Sequence, residues 1–160
     1  MESAVVNISG YEVLISVCDL ERVSAFKWYA YKRKNNNEGP YFLSYRKTKT
    51  KYIRISLHRL IMNNPIGKCV DHINGNTLDN RQNNLRVCKH AENIRNQKKR
   101  IDNTSGYKGV YWHKRLSKWR VQIRHNNKRI HLGYFETAID AHEAYCDAVQ
   151  KYHGEFGRFE

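Results

Sequence analysis

Cys69-Val70-Asp71-His72-Ile73-Asn74-Gly75-Asn76, followed by Asn83-Asn84-Leu85-Arg86-Val87 and then by Glu92-Asn93, is the stretch on which the reading of this chain turns. Two short apolar segments, Lys68 to Val70 and Leu85 to Val87, flank a polar connection from Ile73 to Asn83 and predict a small hairpin. Asn74-Gly75-Asn76 is a strong turn signal within it. Residues Lys89 to Lys99 then carry good helix formers, with Ala91 and Ile94 available for one face. Lys98, Lys99 and Arg100 stand near the C-terminal end, where cations complement the helix dipole. The order is strand, loop, strand, helix.

The residue types in this order suit one chemistry. Breaking a phosphodiester needs a cation against the phosphate oxygens and a group that takes a proton from the attacking water, and an oxygen-ligated Mg²⁺ beside a histidine supplies both. Asp71 and Asn93 offer the oxygens, and His72 can activate water. Consecutive side chains of an extended strand leave on opposite faces, so the Asp71-His72 pair calls for a strand end or a turn. An Asp-His pair beside Asn-Gly, taken alone, reads as a solvated turn. His90, one helical turn before Asn93, is a competing ligand and the better binder of transition metals. His58, in Leu57-His58-Arg59-Leu60-Ile61-Met62, is expected at the edge of a short apolar helix, with a secondary role on phosphate.

This pattern resembles the ββα-metal fold of the HNH nucleases. In that family an Asp-His pair ends the first strand, a central asparagine sits by the second, and the last ligand lies on the helix. The matching positions are Asp71 and His72, then Asn84, then Asn93. The resemblance implies His72 as general base, Asn84 hydrogen-bonding loop backbone and holding that base in place, and Asp71 and Asn93 as ligands of one Mg²⁺ (or Mn²⁺) per chain. Asn93 stands where other members carry a histidine, and it is the resemblance that selects it over His90.

Composition points the same way. In 160 residues, 29 Lys and Arg oppose 15 Asp and Glu, a net charge of +14 that asks for a polyanionic partner. No apolar run approaches the roughly 20 residues of a membrane span, and no signal-peptide pattern opens the chain. The expectation is a soluble intracellular protein, in the cytoplasm of a bacterial or phage-infected host cell, with no membrane and no evident protein partner. Cys18, Cys69, Cys88 and Cys146 form no C-x-x-C pair, so they read as reduced, mostly buried small residues rather than zinc ligands, although Cys69 and Cys88 flank the expected hairpin and could approach one another.

Charge is uneven along the C-terminal third. From Lys108 to Leu132 there are eight Lys and Arg and no acid, whereas Phe135 to Glu160 holds six acids and two bases. The basic part predicts three strands: Gly109 to His113, Trp119 to Arg124 after an Arg115 to Lys118 turn, and Lys128 to Leu132 after Asn126-Asn127. Alternation in the middle strand puts Trp119, Val121 and Ile123 on a core face and Arg120, Gln122 and Arg124 on the other. The acidic part predicts a helix with Thr137 as N-cap, Asp140 three residues on, a stripe of Ala138, Ala141, Ala144, Tyr145, Ala148 and Tyr152, and Gly154 as its stop.

Tyr107-Lys108-Gly109-Val110, Trp119, Leu132-Gly133-Tyr134-Phe135 and the Ala-rich helix look like an AP2 DNA-binding domain. The resemblance implies a sheet in the major groove of double-stranded DNA, contacted by Lys108, Tyr111, His113, Gln122, Arg124, Arg129 and His131, with Arg115 or Arg120 on phosphate. Several arginines and tryptophans of the family are replaced here, notably by Tyr111, His113 and His131.

Residues 1 to 56 say least. Tyr11 to Val17 and Lys27 to Tyr31 read as strands, Tyr41 to Tyr45 and Lys51 to Ile55 as a hairpin joined by Arg46 to Thr50, and Asn35 to Pro40 as a loop. Lys47, Lys49, Lys51 and Arg54 read equally as phosphate contacts and as charges that keep a solvated edge soluble. The expected fold class is α+β: a small N-terminal antiparallel β subdomain (1–56), a ββα-metal HNH module (57–100), a linker (101–106) and a three-stranded antiparallel sheet packed on one helix (107–160). The expected function is a metal-dependent DNA endonuclease of the homing type that nicks duplex DNA. The alternatives are a non-catalytic DNA-binding regulator on a degenerate scaffold and an RNA-directed nuclease.

Overall fold

The structure is a computed structural model that describes residues 2–32, 39–99 and 102–159. Asn35 to Glu38 of the expected loop, residue 100 at the end of the expected nuclease module and residue 101 at the start of the expected linker lie outside the described residues. The chain divides into two compact units, Met1–Asn93 and Ile94–Glu160.

The first unit opens with a hairpin, β1 (Ser3–Ile8) and β2 (Tyr11–Ser16), turned by Ser9 and Gly10, both at positive φ. Sequence reading finds β2 but not β1, and not the short helix α1 (Leu20–Ser24). An antiparallel sheet of β3 (Tyr29–Tyr31), β4 (Tyr41–Lys47) and β5 (Tyr52–Ser56) follows, then α2 (Leu57–Ile61), the apolar helix expected there. The expected hairpin is β6 (Cys69–His72) with β7 (Leu85–Cys88), followed by helix α3 (His90–Arg95).

One core joins these pieces. Ile8, Val13 and Ile15 from the first hairpin, Val23 from α1, Phe42 from β4, Leu57 and Ile61 from α2, and Val70 and Leu85 from the second hairpin form a single buried cluster. A side chain such as Leu57, wholly buried, contributes about 2 kcal/mol by leaving water. Because both hairpins and the elements between them feed that cluster, the loop between β6 and β7 is held against the N-terminal strands.

The second unit is an antiparallel sheet in the order β10 (Lys128–Phe135), β9 (Lys118–His125), β8 (Val110–His113), packed on helix α4 (Ala138–His153). The Asp140 amide donates to the Thr137 hydroxyl at 3.1 Å, the predicted N-cap. Ala141, Tyr145, Ala148 and Val149 lie against Val110, Val121 and Ile123, so the small-residue stripe does face the sheet. Asp140, Glu143 and Asp147 are outside that cluster, with Asp140 and Glu143 exposed. Gly109, at φ +77°, leaves room for the Tyr145 ring where a Cβ would collide with it.

The helix expected from Lys89 to Lys99 ends at Arg95. The ammonium of Lys108 donates to the carbonyls of Arg95 at 2.7 Å and Gln97 at 2.6 Å. Carbonyls at a helix terminus have no internal partners, and satisfying them from a side chain stabilises the stop.

Candidate nuclease site and nucleic-acid interface

β6 and β7 pair Cys69 with Cys88, Val70 with Val87, Asp71 with Arg86 and His72 with Leu85. Strand alternation therefore puts Cys69, Asp71, Arg86 and Cys88 on one face and Val70, His72, Leu85 and Val87 on the other. Asp71 retains 7% and His72 5% of their exposure, which excludes a solvated turn for both. The strand ends at His72, and a turn follows in which the Gly75 amide donates to the His72 carbonyl at 2.9 Å. A strand end is present, as expected, but Asp71 and His72 both lie within the ladder and leave on opposite faces of it.

Arg86 donates to Asp71 Oδ2 from Nε at 3.0 Å and from a terminal nitrogen at 2.9 Å. On the same face the Cys88 thiol is pushed up to about 11, first by burial and then by the charges of Asp71 and Cys69. The Cys69 sulfur lies 3.9 Å from His90 Nδ1, so the first turn of α3 sits against the face from which Asp71 projects. Asn93, three residues after His90 and half-buried, shares that side of the helix.

Asn84 bonds loop backbone. Its side-chain oxygen accepts from the Asn74 amide at 3.1 Å, and its NH₂ donates to the Asp79 carbonyl at 2.7 Å. His72, however, is hydrogen-bonded by Asn80, which no motif in the sequence singles out. Asn80 is 1% exposed, and its side-chain oxygen lies 3.2 Å from His72 Nε2. Its NH₂ donates to the Thr77 carbonyl at 2.8 Å, which can only accept, so the oxygen must face the imidazole. The Nε2 atom then carries the ring proton and Nδ1 the basic lone pair.

Two further links fix this loop. The Asn80 amide donates to the Leu14 carbonyl of β2 at 2.7 Å, and the Leu14 amide donates to the Leu78 carbonyl at 2.8 Å. Asp79 takes Arg81 on both carboxylate oxygens, at 2.8 and 2.7 Å, and Asn74 at 3.2 Å. The hydrogen bonds from Arg81 hold its carboxyl below the usual range.

His58, on α2, belongs to this site more closely than expected. Its ring centroid is 5.4 Å from that of His72 and 5.7 Å from that of Tyr41, and Tyr41 is 6.3 Å from His72. Burial first, then the neighbouring His72 and Arg59, pulls His58 down to about 3, so it is neutral at any working pH. Nothing local in the sequence marks this, because the approach of α2 to β6 depends on the core they share.

In the second unit, register places Tyr111 and Tyr134 beside Arg120, Gln122 beside His131, Arg124 beside Arg129, and His113 beside Lys118, all on the face away from α4. Arg124 and Arg129 are exposed like charges directly opposite each other, an arrangement unfavourable in isolation and relieved by an anion. Arg115 is exposed in the turn between β8 and β9. Lys108 is not on this face: its ammonium is held by the two carbonyls named above, and burial pushes it down to about 8.

Tyr134 joins the face although alternation from His131 points it inward. The register shifts between His131 and Gly133, where Gly133 adopts φ +137°, so Leu132 is the extra residue of a β-bulge and every later side chain changes sides. Tyr134 then reaches His131 at 4.7 Å and His113 at 5.3 Å between ring centroids. A glycine inside a strand is the signal in the sequence that could have found it.

Residues 57–95 match the family described as HNH endonuclease, and residues 105–155 match the AP2 domain. Protein 3.8 of Escherichia phage T7 is 34% identical over 95 residues, which span 59% of this chain and 78% of that protein. No solved structure matches the chain. Among the described residues no helix is long and apolar enough to cross a membrane.

Proposed function

Since the chain belongs to the HNH endonuclease family and carries an AP2 domain beside that module, we propose that it is a metal-dependent endonuclease that nicks duplex DNA held by the sheet of its second unit. The observation that supports catalysis best is the oriented imidazole: His72 is buried and its Nε2 faces the Asn80 side-chain oxygen, a pairing that assigns the ring proton to Nε2.

The donor chemistry fits a hard divalent cation. Asp71 offers a carboxylate and Asn93 an amide oxygen, a sparse oxygen set of the kind Mg²⁺ accepts while keeping several waters and substrate phosphate in its shell. Among the described residues no three His, Cys, Asp or Glu side chains come together at one point, so the Asn93 amide, substrate and water would have to complete the shell. Mg²⁺ or Mn²⁺ held by Asp71 and Asn93 would polarise the scissile phosphate and steady the leaving oxygen.

The chain's own residues do the rest. His72 takes the proton of the attacking water at Nδ1, Asn80 keeps the opposite nitrogen protonated, and Asn84 holds the loop on which Asn80 rides. Neutral His58 packs beside His72 without adding a competing charge. Tyr111, His113, Arg115, Arg120, Gln122, Arg124, Arg129 and His131, together with Tyr134, hold the duplex, the arginines by phosphate and the rings by contact in the groove. The homing-type assignment rests on the family resemblance.

Supercoiled plasmid incubated with protein and Mg²⁺, with EDTA, and with a His72→Ala variant tests this reading. Metal-dependent relaxation that the variant lacks is expected. Equal, metal-independent or absent nicking leaves the DNA-binding regulator as the function.

A further inference from the structure

The sheet β3-β4-β5 carries a surface that, apart from Tyr41 at one end, neither the candidate nuclease site nor the AP2 sheet uses. Register pairs Tyr29 with Leu43, Tyr31 with Tyr41, Tyr45 with Arg54 and Lys47 with Tyr52, so these side chains share one face. Phe42, on the opposite face, is in the core. Tyr29, Tyr31, Tyr45 and Tyr52 keep between 47% and 67% of their exposure, too much for rings placed there to fill a core.

A groove at this edge is lined by Phe26, Lys27, Tyr29, Tyr45, Arg46 and Tyr52. The Lys27 ammonium stands 5.7 Å from the centre of the Tyr29 ring. From Arg22 to Val70 the sequence holds twelve Lys and Arg against one acid, Glu38, a steeper imbalance than the surface of a solvated sheet needs.

Aromatic rings interleaved with cations recognise a nucleic-acid strand whose bases are unpaired: each ring stacks on a base, and the cations follow the phosphates. A duplex hides its base faces, so it gains the charge but not the stacking. We propose that this groove binds single-stranded nucleic acid. Tyr41, at the start of β4, touches the His72 ring, and Tyr45 lies four residues along the same strand, roughly 13 Å away at the strand rise. A strand seated on Tyr45 and Tyr52 therefore lies within reach of the candidate general base, as a locally opened substrate would.

The test measures binding of the full chain to a fluorescein-labelled oligothymidylate and to a labelled duplex by anisotropy, for wild type and for Tyr29→Ala, Tyr45→Ala and Tyr52→Ala. Each alanine is expected to weaken the single strand about fivefold to a hundredfold and to leave the duplex nearly unchanged. Tyr45→Phe and Tyr52→Phe, which keep the ring, are expected to bind as wild type does. Arg124→Ala with Arg129→Ala is expected to do the opposite, losing duplex and keeping the single strand. The proposal is overturned if the alanine variants bind oligothymidylate normally, or if they lose both probes equally, which makes the groove a duplex-backbone surface. Neither readout depends on cleavage, so failure here is separate from failure of the plasmid assay.

Discussion

Arg86 faces Asp71 across the β6-β7 ladder and places two nitrogens on a single carboxylate oxygen, at 3.0 and 2.9 Å. The side chains retain 13% and 9% of their exposure, so the pair is held mostly out of water. A guanidinium in this position supplies the countercharge that a carboxylate taken out of water needs. It also competes with any metal for that oxygen.

Replacing Arg86 with alanine leaves that carboxylate without this countercharge, so Arg86→Ala is expected to lower stability by about 2 to 4 kcal/mol. If Asp71 is a metal ligand, Mg²⁺ supplies the missing charge. Urea midpoints measured with and without Mg²⁺ should show the variant gaining more from the metal than wild type does. A variant that gains no more than wild type removes Asp71 from the metal site.

Asn80→Leu removes the acceptor on His72 Nε2 while keeping volume. The imidazole is then free to protonate on either nitrogen, and turnover in the nicking assay is expected to fall roughly ten- to a hundredfold with substrate affinity little changed. Nitrogen chemical shifts of His72 in labelled protein report the tautomer directly. Wild type should show the proton on Nε2, and the opposite tautomer would refute the assignment.

The neutral His58 makes the first unit acid-labile. Its folded value is near 3 against an ordinary 6.5, so between these values the unfolded chain binds more protons and stability falls as pH drops through the window. His58→Gln removes that proton uptake. The urea midpoint of the variant should therefore decline less from pH 6.5 toward 3 than that of wild type, and equal slopes would place the lability elsewhere.

On the AP2 sheet, charge and rings separate by salt. Arg124→Ala with Arg129→Ala should weaken duplex binding and make its dependence on log salt shallower by about 0.9 for each phosphate that is no longer neutralised. Tyr134→Ala removes a ring but no charge, so it should weaken binding at an unchanged slope. A slope that moves with Tyr134, or stays fixed without the two arginines, contradicts the roles given to them.

Local chemistry is the part of this fold that is legible along the chain. The Asn74-Gly75 turn, the Thr137 cap and the alternation through Trp119 to Arg124 depend on neighbours a few residues apart, and each is found in place. The strand β1 is harder to find because Ser9-Gly10 is a weaker turn signal than Asn-Gly, and α3 is shorter than its helix formers suggest because Lys108 satisfies carbonyls at and beyond its end. Along β10, simple alternation holds only up to the bulge at Leu132, beyond which one extra residue reverses every face.

The sequence by itself determined the Asp71-His72 pair at the end of a strand, the two flanking apolar segments and the acid-free run that makes one sheet cationic, since residue type and short-range periodicity are local properties. Only the tertiary structure decided that Asn80 hydrogen-bonds His72, that His58 packs against the same ring, and that tyrosines on β3, β4 and β5 face outward together. Those relations are set by strand register and by a core shared among distant segments, and no periodicity along the chain carries them.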